Sequence, residues 1–232
     1  MTKILTIALL GAMLISSCGG TTEITILYSG STNGVLESCQ CPGNPFGGLV
    51  NRAAVIDSLL QAHDNVIVLD TGDLLPAKAD SLKSVYAVKA MALCLPDAIA
   101  PGDQEFILGA DFIRDSKLPF ISPSVYDTET SAFLFPPSKV ITAGSVKLGV
   151  ISLFNPALLK LYPDSIREQI GVEPPEASWK RQGDLLKQKS DLQVVLSHMG
   201  YDNDREFLQA HPEVEILISG HSQILLKEPE KE

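Results

Sequence analysis

The sequence predicts a layered α/β fold in which two β-sheets are sandwiched between helices. Short apolar runs rich in β-branched residues alternate with stretches whose apolar residues follow a helical spacing. A hairpin pattern around AGS interrupts this alternation at residues 138–154, so the sheets cannot be purely parallel. With 232 residues, the chain is long enough for one domain with a sizeable core.

The first half of the chain alternates strands and helices. Residues 48–62 carry a helical stripe of apolar side chains, whereas NVIVLD at 65–70 is a continuous apolar run typical of a buried strand. The predicted elements of this half are, in order, strand 23–29, helix 48–62, strand 65–70, helix 81–94, a short strand and turn at 97–103, helix 105–116 and strand 119–124.

The second half of the chain begins with a hairpin and then alternates helices and strands. After the hairpin at 138–154, the predicted elements are helix 176–188, strand 192–198, helix 201–210 and strand 214–220. Residues 155–176 form a long segment that contains proline, and we expect a flexible surface loop there. No internal repeat, low-complexity segment or membrane-spanning core helix is predicted.

The first residues have the composition of a targeting segment. Lys3 is followed by an apolar run that is too short to span a bilayer comfortably and that ends in small residues, as a secretory signal does. The ending ISSCGG resembles a bacterial lipobox, which implies cleavage before Cys18 and lipidation of that residue. We therefore predict a lipoprotein signal peptide at 1–17, a linker at 18–22 and a domain at 23–232. An ordinary signal peptide or an uncleaved anchor is the alternative.

The net charge and the predicted signal peptide together limit the expected location and partners. The formal net charge is −10 and no basic stripe is present, so nucleic acid is excluded as an expected partner. The leader predicts a bacterial cell envelope protein, attached to the membrane through its N-terminal lipid on the periplasmic or outer-surface side.

Three cysteines remain beyond the predicted lipid site at Cys18, namely Cys39, Cys41 and Cys94. An exported compartment permits disulfides, so either Cys39 or Cys41 is a candidate partner for Cys94. A bridge between Cys39 and Cys41 would close a strained small ring. A free or metal-ligating thiol is a further alternative, and the sequence alone does not choose among them.

Ionisable side chains follow the predicted strands at their carboxyl ends. Asp73 follows the strand at 65–70, Asp103 follows the short strand, and His198 and His221 follow the last two strands. Because such positions converge at one edge of a layered sheet, these side chains are expected to meet. Carboxylate and imidazole ligands suit one divalent Mn, Fe or Zn ion.

The order of these motifs resembles the calcineurin-like metallophosphoesterases, and most closely their 5′-nucleotidase branch, including a Cys-containing subgroup. The resemblance covers roughly residues 24–223 and rests on VIVLDTGDLL, PGDQEF, LPFISPSVYD, VKLGVISLF, VVLSHMG and ILISGHSQ. It implies a four-layer α-β-β-α sandwich and hydrolysis of phosphoric esters at a pair of metals bridged by an Asp. It also implies a His that protonates the leaving group.

The first-metal positions of the family are largely replaced in this chain. The resemblance assigns the Asp and His of the D-x-H motif to Ser31 and Asn33, and the last His of G-H-x-H to Gln223. Only the bridging Asp73 remains. Cys39 and Cys41 could supply thiolates to this vacated site, although a loop clamp made through Cys94 is the more common arrangement.

The second-metal positions all hold competent ligands. The resemblance assigns them to Asp73, Asp103, His198 and His221, whereas the catalytic His position holds Gln104, which cannot shuttle a proton. The expectation is therefore one divalent metal and weak or absent phosphoester hydrolysis. The bound molecule would be a phosphorylated small molecule. The alternative is a non-catalytic lipoprotein that binds a protein partner.

The chain stops nine residues after Gln223. The 5′-nucleotidase branch carries a second, base-stacking domain after this point, for which no room is left, so nucleotide specificity is in doubt. Two alternatives stay open, a truncated second sheet and a chain that is a fragment of a longer protein.

Overall fold

The computed structural model describes residues 22–39, 42 and 46–231. The strands are β1 Thr25–Ser29, β2 Val66–Asp70, β3 Ala98–Ile99, β4 Val125–Asp127, β5 Ser138–Ala143, β6 Val146–Phe154, β7 Ile170–Val172, β8 Leu192–His198 and β9 Ile216–Ser219. The α-helices are α1 Leu49–Ala62, α2 Ser81–Leu93, α3 Ala110–Arg114, α4 Asp164–Arg167, α5 Pro175–Lys187 and α6 Tyr201–Ala210.

Two main sheets organise the chain. The first is parallel, in the order β1-β2-β3, and the second has the order β5-β6-β8-β9. In the second sheet β5 and β6 form the antiparallel hairpin, whereas β6, β8 and β9 run parallel. This confirms both the hairpin and the mixed sheet. In the described residues the second sheet has four strands and the first has three.

The two sheets face each other and each is covered by helices on its outer side. Ile67 and Leu69 of β2 pack between the sheets against Val150 of β6, because alternate residues of a strand point to opposite faces. Val68, between them, instead packs with α1 and α2, and the outer face of the second sheet packs against Trp179 of α5. This arrangement is the predicted four-layer α-β-β-α sandwich.

Two predicted elements of the first half are wrong. The helix expected at 105–116 is divided into a 3₁₀ turn, Gln104–Phe106, and the short helix α3, since Gly109 between them has a φ of 88°. The strand expected at 119–124 is absent apart from an isolated bridge between Ile99 and Phe120. Pro119 and Pro123 lack the amide donors that a strand ladder needs.

The segment expected to be a flexible surface loop at 155–176 is structured. It contains a 3₁₀ helix Pro156–Leu161, the helix α4, and β7, which pairs with β4 in a small antiparallel sheet. Asn155 caps the 3₁₀ helix by accepting a hydrogen bond from the backbone of Ala157 at 2.9 Å. Local capping and buried apolar side chains therefore outweigh the proline content that suggested a loop.

None of the helices in the described part of the chain combines the length and the apolar composition that crossing a membrane requires. The predicted signal peptide and the lipid site Cys18 lie outside the described residues, and so does Cys41.

Candidate metal centre

Four side chains from both sheets meet at one end of the sandwich. Asp73 and Asp103 follow β2 and β3 of the first sheet, His198 ends β8 and His221 follows β9. One nitrogen or oxygen atom from each lies within 4.8 Å of the corresponding atoms of the others. The strand-end positions expected from the sequence to converge do so in space.

The loops that carry these side chains have uncommon backbone conformations. Asp73 and His221 adopt positive φ angles of 57° and 66°, which few non-glycine residues do and which commonly accompany functional sites. Gly102 lies so close to the cluster that a Cβ there would sit 2.5 Å from Oδ1 of Asp73 and 2.6 Å from Cε1 of His198. Only glycine fits at this position.

His198 is oriented by a backbone carbonyl. Its Nδ1 lies 2.6 Å from the carbonyl oxygen of Thr71, which can only accept a hydrogen bond, so Nδ1 carries a proton. Nε2 then faces Oδ1 of Asp73 at 3.3 Å and Oδ1 of Asp103 at 3.4 Å. A His that donates through one nitrogen to a carbonyl is the usual arrangement of a histidine metal ligand.

The carboxylates favour positive charge between them. Burial alone would lower the pKa of His198, but Asp103 and Asp73 outweigh it and raise that pKa to about 10. Burial likewise opposes ionisation of Asp103, but His198, together with a hydrogen bond from Tyr162, lowers the pKa of that carboxyl below its ordinary value. The cluster is therefore suited to hold a cation.

Three atoms of the cluster are buried and lack a hydrogen-bond partner, Oδ1 of Asp103, Nε2 of His198 and Nδ1 of His221. Buried polar atoms are normally paired, because leaving them unpaired costs about 1–3 kcal/mol each. Carboxylate oxygen and imidazole nitrogen are suitable donors for a divalent transition metal. The residues present therefore fit such an ion.

Glu105 supports the cluster without facing it. The carboxylate is fully buried and accepts from the backbone amides of Asp73 and Leu74, at 3.0 and 2.7 Å, and from that of Gly102 at 2.5 Å. Burial, and next the charge of Asp73, raises the pKa of Glu105 to about 7. Glu105 thus ties the loop after β2 to the loop after β3.

Two supporting residues were not found from the sequence. Asp204, buried in α6, accepts hydrogen bonds from the hydroxyls of Ser197 and Ser219, which lie beside the two histidines in β8 and β9. The hydroxyl of Tyr162 donates to Oδ2 of Asp103 at 3.0 Å. Asp204 lies three residues before the buried Phe207 on one helix face, which was an overlooked signal. Tyr162 falls in the segment expected to be a loop.

Ser31 and Asn33, at two expected first-metal positions, form a neutral hydrogen-bonded chain with Gln104, at the expected catalytic His position. Nε2 of Gln104 donates to Oδ1 of Asn33 at 2.8 Å, and Nδ2 of Asn33 donates to the carbonyl of Ser31 at 2.7 Å. Gln223 is exposed. The backbone amide of Gln104 also donates to Oδ1 of Asp73 at 3.3 Å, so this chain adjoins the Asp73 cluster.

The loop around Ser31 is anchored to α1. Arg52 forms an ion pair with the buried Asp70 at 3.0 Å and donates to the hydroxyl of Thr32 at 2.8 Å. The backbone amides of Ser31 and Asn33 each donate to carbonyls of the β2 loop at 2.8 Å. These contacts hold the loop against α1 and the loop after β2.

The expected disulfides to Cys94 are wrong. Cys94 is a free, buried thiol, whose Sγ lies 3.8 Å from the carbonyl of Leu49. Cys39 is disulfide-bonded, so it offers no thiolate to the first-metal position, and its partner lies outside the described residues. Cys94 packs in the core with Leu49 and Ile56 of α1 and with Ala87 and Met91 of α2.

The chain resembles curated 5′-nucleotidases, although no family model matches it. It is 26% identical over 234 residues to the snake venom 5′-nucleotidase of Naja atra, which covers 89% of this chain and 42% of that protein. It is 25% identical over 244 residues to the 5′-nucleotidase of Homo sapiens, covering 94% of this chain and 41% of that protein. The chain thus spans about two-fifths of the length of these relatives.

Solved structures share the fold. The sulfate thiohydrolase SoxB of Thermus thermophilus superposes with a TM-score of 0.78 at 17% identity, covering 90% of this chain and 50% of that one. A 5′-nucleotidase precursor, also from Thermus thermophilus, gives 0.69 at 26% identity, covering 85% and 41%. The calcineurin-like phosphoesterase YfkN of Bacillus subtilis gives 0.72 at 17% identity, covering 90% and 74%.

Proposed function

We propose that this chain binds a single divalent metal ion. The premise is that the chain belongs to the calcineurin-like metallophosphoesterases and to their 5′-nucleotidase branch. Asp73, Asp103, His198 and His221 would hold this ion. Phosphoester hydrolysis by the two-metal route of the family would be weak or absent.

The observation that carries this proposal is the set of unpaired buried atoms on Asp103, His198 and His221. A divalent cation can accept an electron pair from each of these three atoms. A bound divalent ion would supply Lewis-acid polarisation of a phosphoryl oxygen. The surrounding protein would supply orientation, through the Thr71 carbonyl on His198 and the Glu105 carboxylate on the two loops.

The single-metal limit rests on Asn33 and Gln104. Their side-chain amides satisfy each other by a 2.8 Å hydrogen bond, and neither carries a charge that could attract a second cation. Gln104 also occupies the position expected for the catalytic His, and its amide has no group that gains or loses a proton near neutral pH. General acid catalysis from this position is therefore not expected.

The substrate class proposed is a phosphorylated, nucleotide-like small molecule, since the relatives are named as 5′-nucleotidases. We also propose that the chain is an envelope lipoprotein, with residues 1–17 removed and Cys18 lipidated.

Titration of the purified protein with Mn²⁺ tests the metal site. Wild type and the matched control His63→Ala, which changes an exposed histidine remote from the cluster in sequence, are expected to bind one ion. His221→Ala is expected to bind at least ten times more weakly because it removes a ligand. Equal binding by His221→Ala would contradict the proposed site.

A non-catalytic binding module is the second candidate function, and the Asn33–Gln104 pair favours it. Turnover of p-nitrophenyl phosphate, bis-p-nitrophenyl phosphate and AMP in the presence of Mn²⁺ distinguishes the two candidates. Turnover that is lost in His221→Ala but kept in His63→Ala identifies an enzyme. No turnover from a protein that binds Mn²⁺ identifies a binding module.

A further inference from the structure

Tyr162 reaches the candidate metal centre from a segment that the sequence placed on the surface. It directly follows the 3₁₀ helix Pro156–Leu161, and its hydroxyl donates to Oδ2 of Asp103 at 3.0 Å. Fifty-nine positions separate the two residues, so this contact exists only in the folded domain.

The two oxygens of Asp103 have different surroundings. Oδ2 accepts the Tyr162 hydroxyl, whereas Oδ1 faces Nε2 of His198 at 3.4 Å and Nδ1 of His221 at 3.5 Å. Oδ1 is also buried without a hydrogen-bond partner. The tyrosine therefore occupies one oxygen and leaves the other for the cluster.

The segment that carries Tyr162 is itself anchored beside the cluster. The backbone amide of Asn155 donates to the carbonyl of His198 at 3.4 Å, and the amide of Tyr162 donates to the carbonyl of Leu159 at 3.0 Å. Leu159 is buried in the core. The segment is thus tied to His198 at its start and to Asp103 at its end, which limits how far the phenol can move.

An aspartate needs such a partner more than an asparagine would. An amide has one oxygen and one nitrogen, so only one atom can ligate a cation, whereas either or both oxygens of a carboxylate can do so. A hydrogen bond to one oxygen is a known means of orienting a ligating carboxylate.

We propose that Tyr162 is a positioning residue that makes Asp103 a one-oxygen ligand of the cation bound at this site. This inference rests on the proposed single-metal function. Tyr162 touches neither the cation nor a substrate in this account. It acts through Asp103 by holding Oδ2 away from the ion and Oδ1 toward it.

The test uses Co²⁺, whose visible absorption reports the number of ligands around it. Tyr162→Phe removes only the hydroxyl, and Tyr28→Phe is the matched control, because Tyr28 is 67% exposed on β1. For Tyr162→Phe we expect about tenfold weaker Co²⁺ binding. We also expect a weaker visible absorption, since the freed Oδ2 raises the coordination number. Tyr28→Phe is expected to match wild type in both measurements.

A second comparison uses Asp103→Asn. Because an amide offers a single oxygen, adding Tyr162→Phe to this variant should change Co²⁺ affinity less than twofold. An equal tenfold loss of Co²⁺ affinity from Tyr162→Phe in wild type and in Asp103→Asn would overturn the positioning role. The role would also be overturned if Tyr162→Phe kept the wild-type Co²⁺ affinity and spectrum, even if its metal-free melting temperature fell. Wild type that binds no Co²⁺ would overturn the proposed single-metal function. Wild type that binds Co²⁺ no better than Tyr162→Phe would overturn only the positioning role.

Discussion

In His198 and Asp103, a hydrogen bond to one polar atom of the side chain leaves the other polar atom facing the cluster. Nδ1 of His198 is bound to the Thr71 carbonyl, so Nε2 is free to ligate. Oδ2 of Asp103 is bound to Tyr162, so Oδ1 is free. Such pairing is a property of the folded domain and leaves no pattern in the sequence.

The convergence of the four candidate ligands could be predicted because each lies at, or a few residues after, the carboxyl end of a strand, and such strand ends converge. Tyr162 and Asp204 could not be predicted in the same way. Tyr162 meets Asp103 across 59 positions, and Asp204 contacts serines that are ordinary strand residues in the sequence. Long-range side-chain contacts of this kind depend on packing rather than on local periodicity.

A conservative change at Glu105 tests its supporting role. Glu105→Gln would replace one of the two accepting carboxylate oxygens by an NH2 donor, which would face at least one of the backbone amides of Asp73, Leu74 and Gly102 that now donate to the carboxylate. We expect the free energy of unfolding to fall by about 2 kcal/mol, as for a buried donor left unpaired. Denaturant titration measures it, with the exposed Glu206→Gln as control. A change as small as that of Glu206→Gln would refute the role.

At the scale of elements, hydrophobic periodicity predicted the two sheets and the covering helices well. It failed where local chemistry intervened. Gly109 interrupts the helix expected at 105–116, and Pro119 and Pro123 prevent the strand expected at 119–124. The flexible loop predicted at 155–176 is wrong because the prolines of this segment lie at the starts of helices, where proline is tolerated.

One partly buried ion pair, between Arg52 and Asp70, adds to the apolar packing of α1 on β2. Arg52→Met would leave Asp70 buried without its cation. We expect a loss of about 2 kcal/mol in the free energy of unfolding at pH 7, below the range for wholly buried pairs because Arg52 is partly exposed. The control is Arg114→Met, whose partner Asp111 is exposed, and its expected loss is below about 0.5 kcal/mol.

The loss in Arg52→Met should depend on pH. Burial raises the pKa of Asp70, and Arg52 opposes this, so removing Arg52 raises that pKa further. A group with a raised folded-state pKa contributes stability below its unfolded pKa and loses it as pH rises through the folded pKa. The deficit should therefore be larger at pH 7 than at pH 4. An equal deficit at both values would show that the charge of Asp70 is not responsible.

At the scale of the whole molecule, neither sheet contains the candidate site alone. The first sheet supplies both carboxylates and the second supplies both imidazoles, so the site exists only when the two sheets pack face to face. The resemblance to 5′-nucleotidases predicted this layered arrangement. It did not predict the neutral pairing of Asn33 with Gln104, which joins side chains 71 positions apart.

Membrane attachment is a prediction about the whole chain. Wild type expressed in bacteria should incorporate labelled palmitate and sediment with membranes, whereas Cys18→Ala should not be labelled, since it lacks the thiol that receives the lipid. Cys94→Ala is the matched control and should be labelled as wild type. Absence of label from wild type would contradict the lipoprotein assignment.

The metal content of the purified protein tests the central claim most directly. Elemental analysis after loading with Mn²⁺, Fe²⁺ or Zn²⁺ and removal of the excess should give one ion per chain, and His221→Ala should retain none. Two ions per chain, or none under any loading, would contradict the single-metal account.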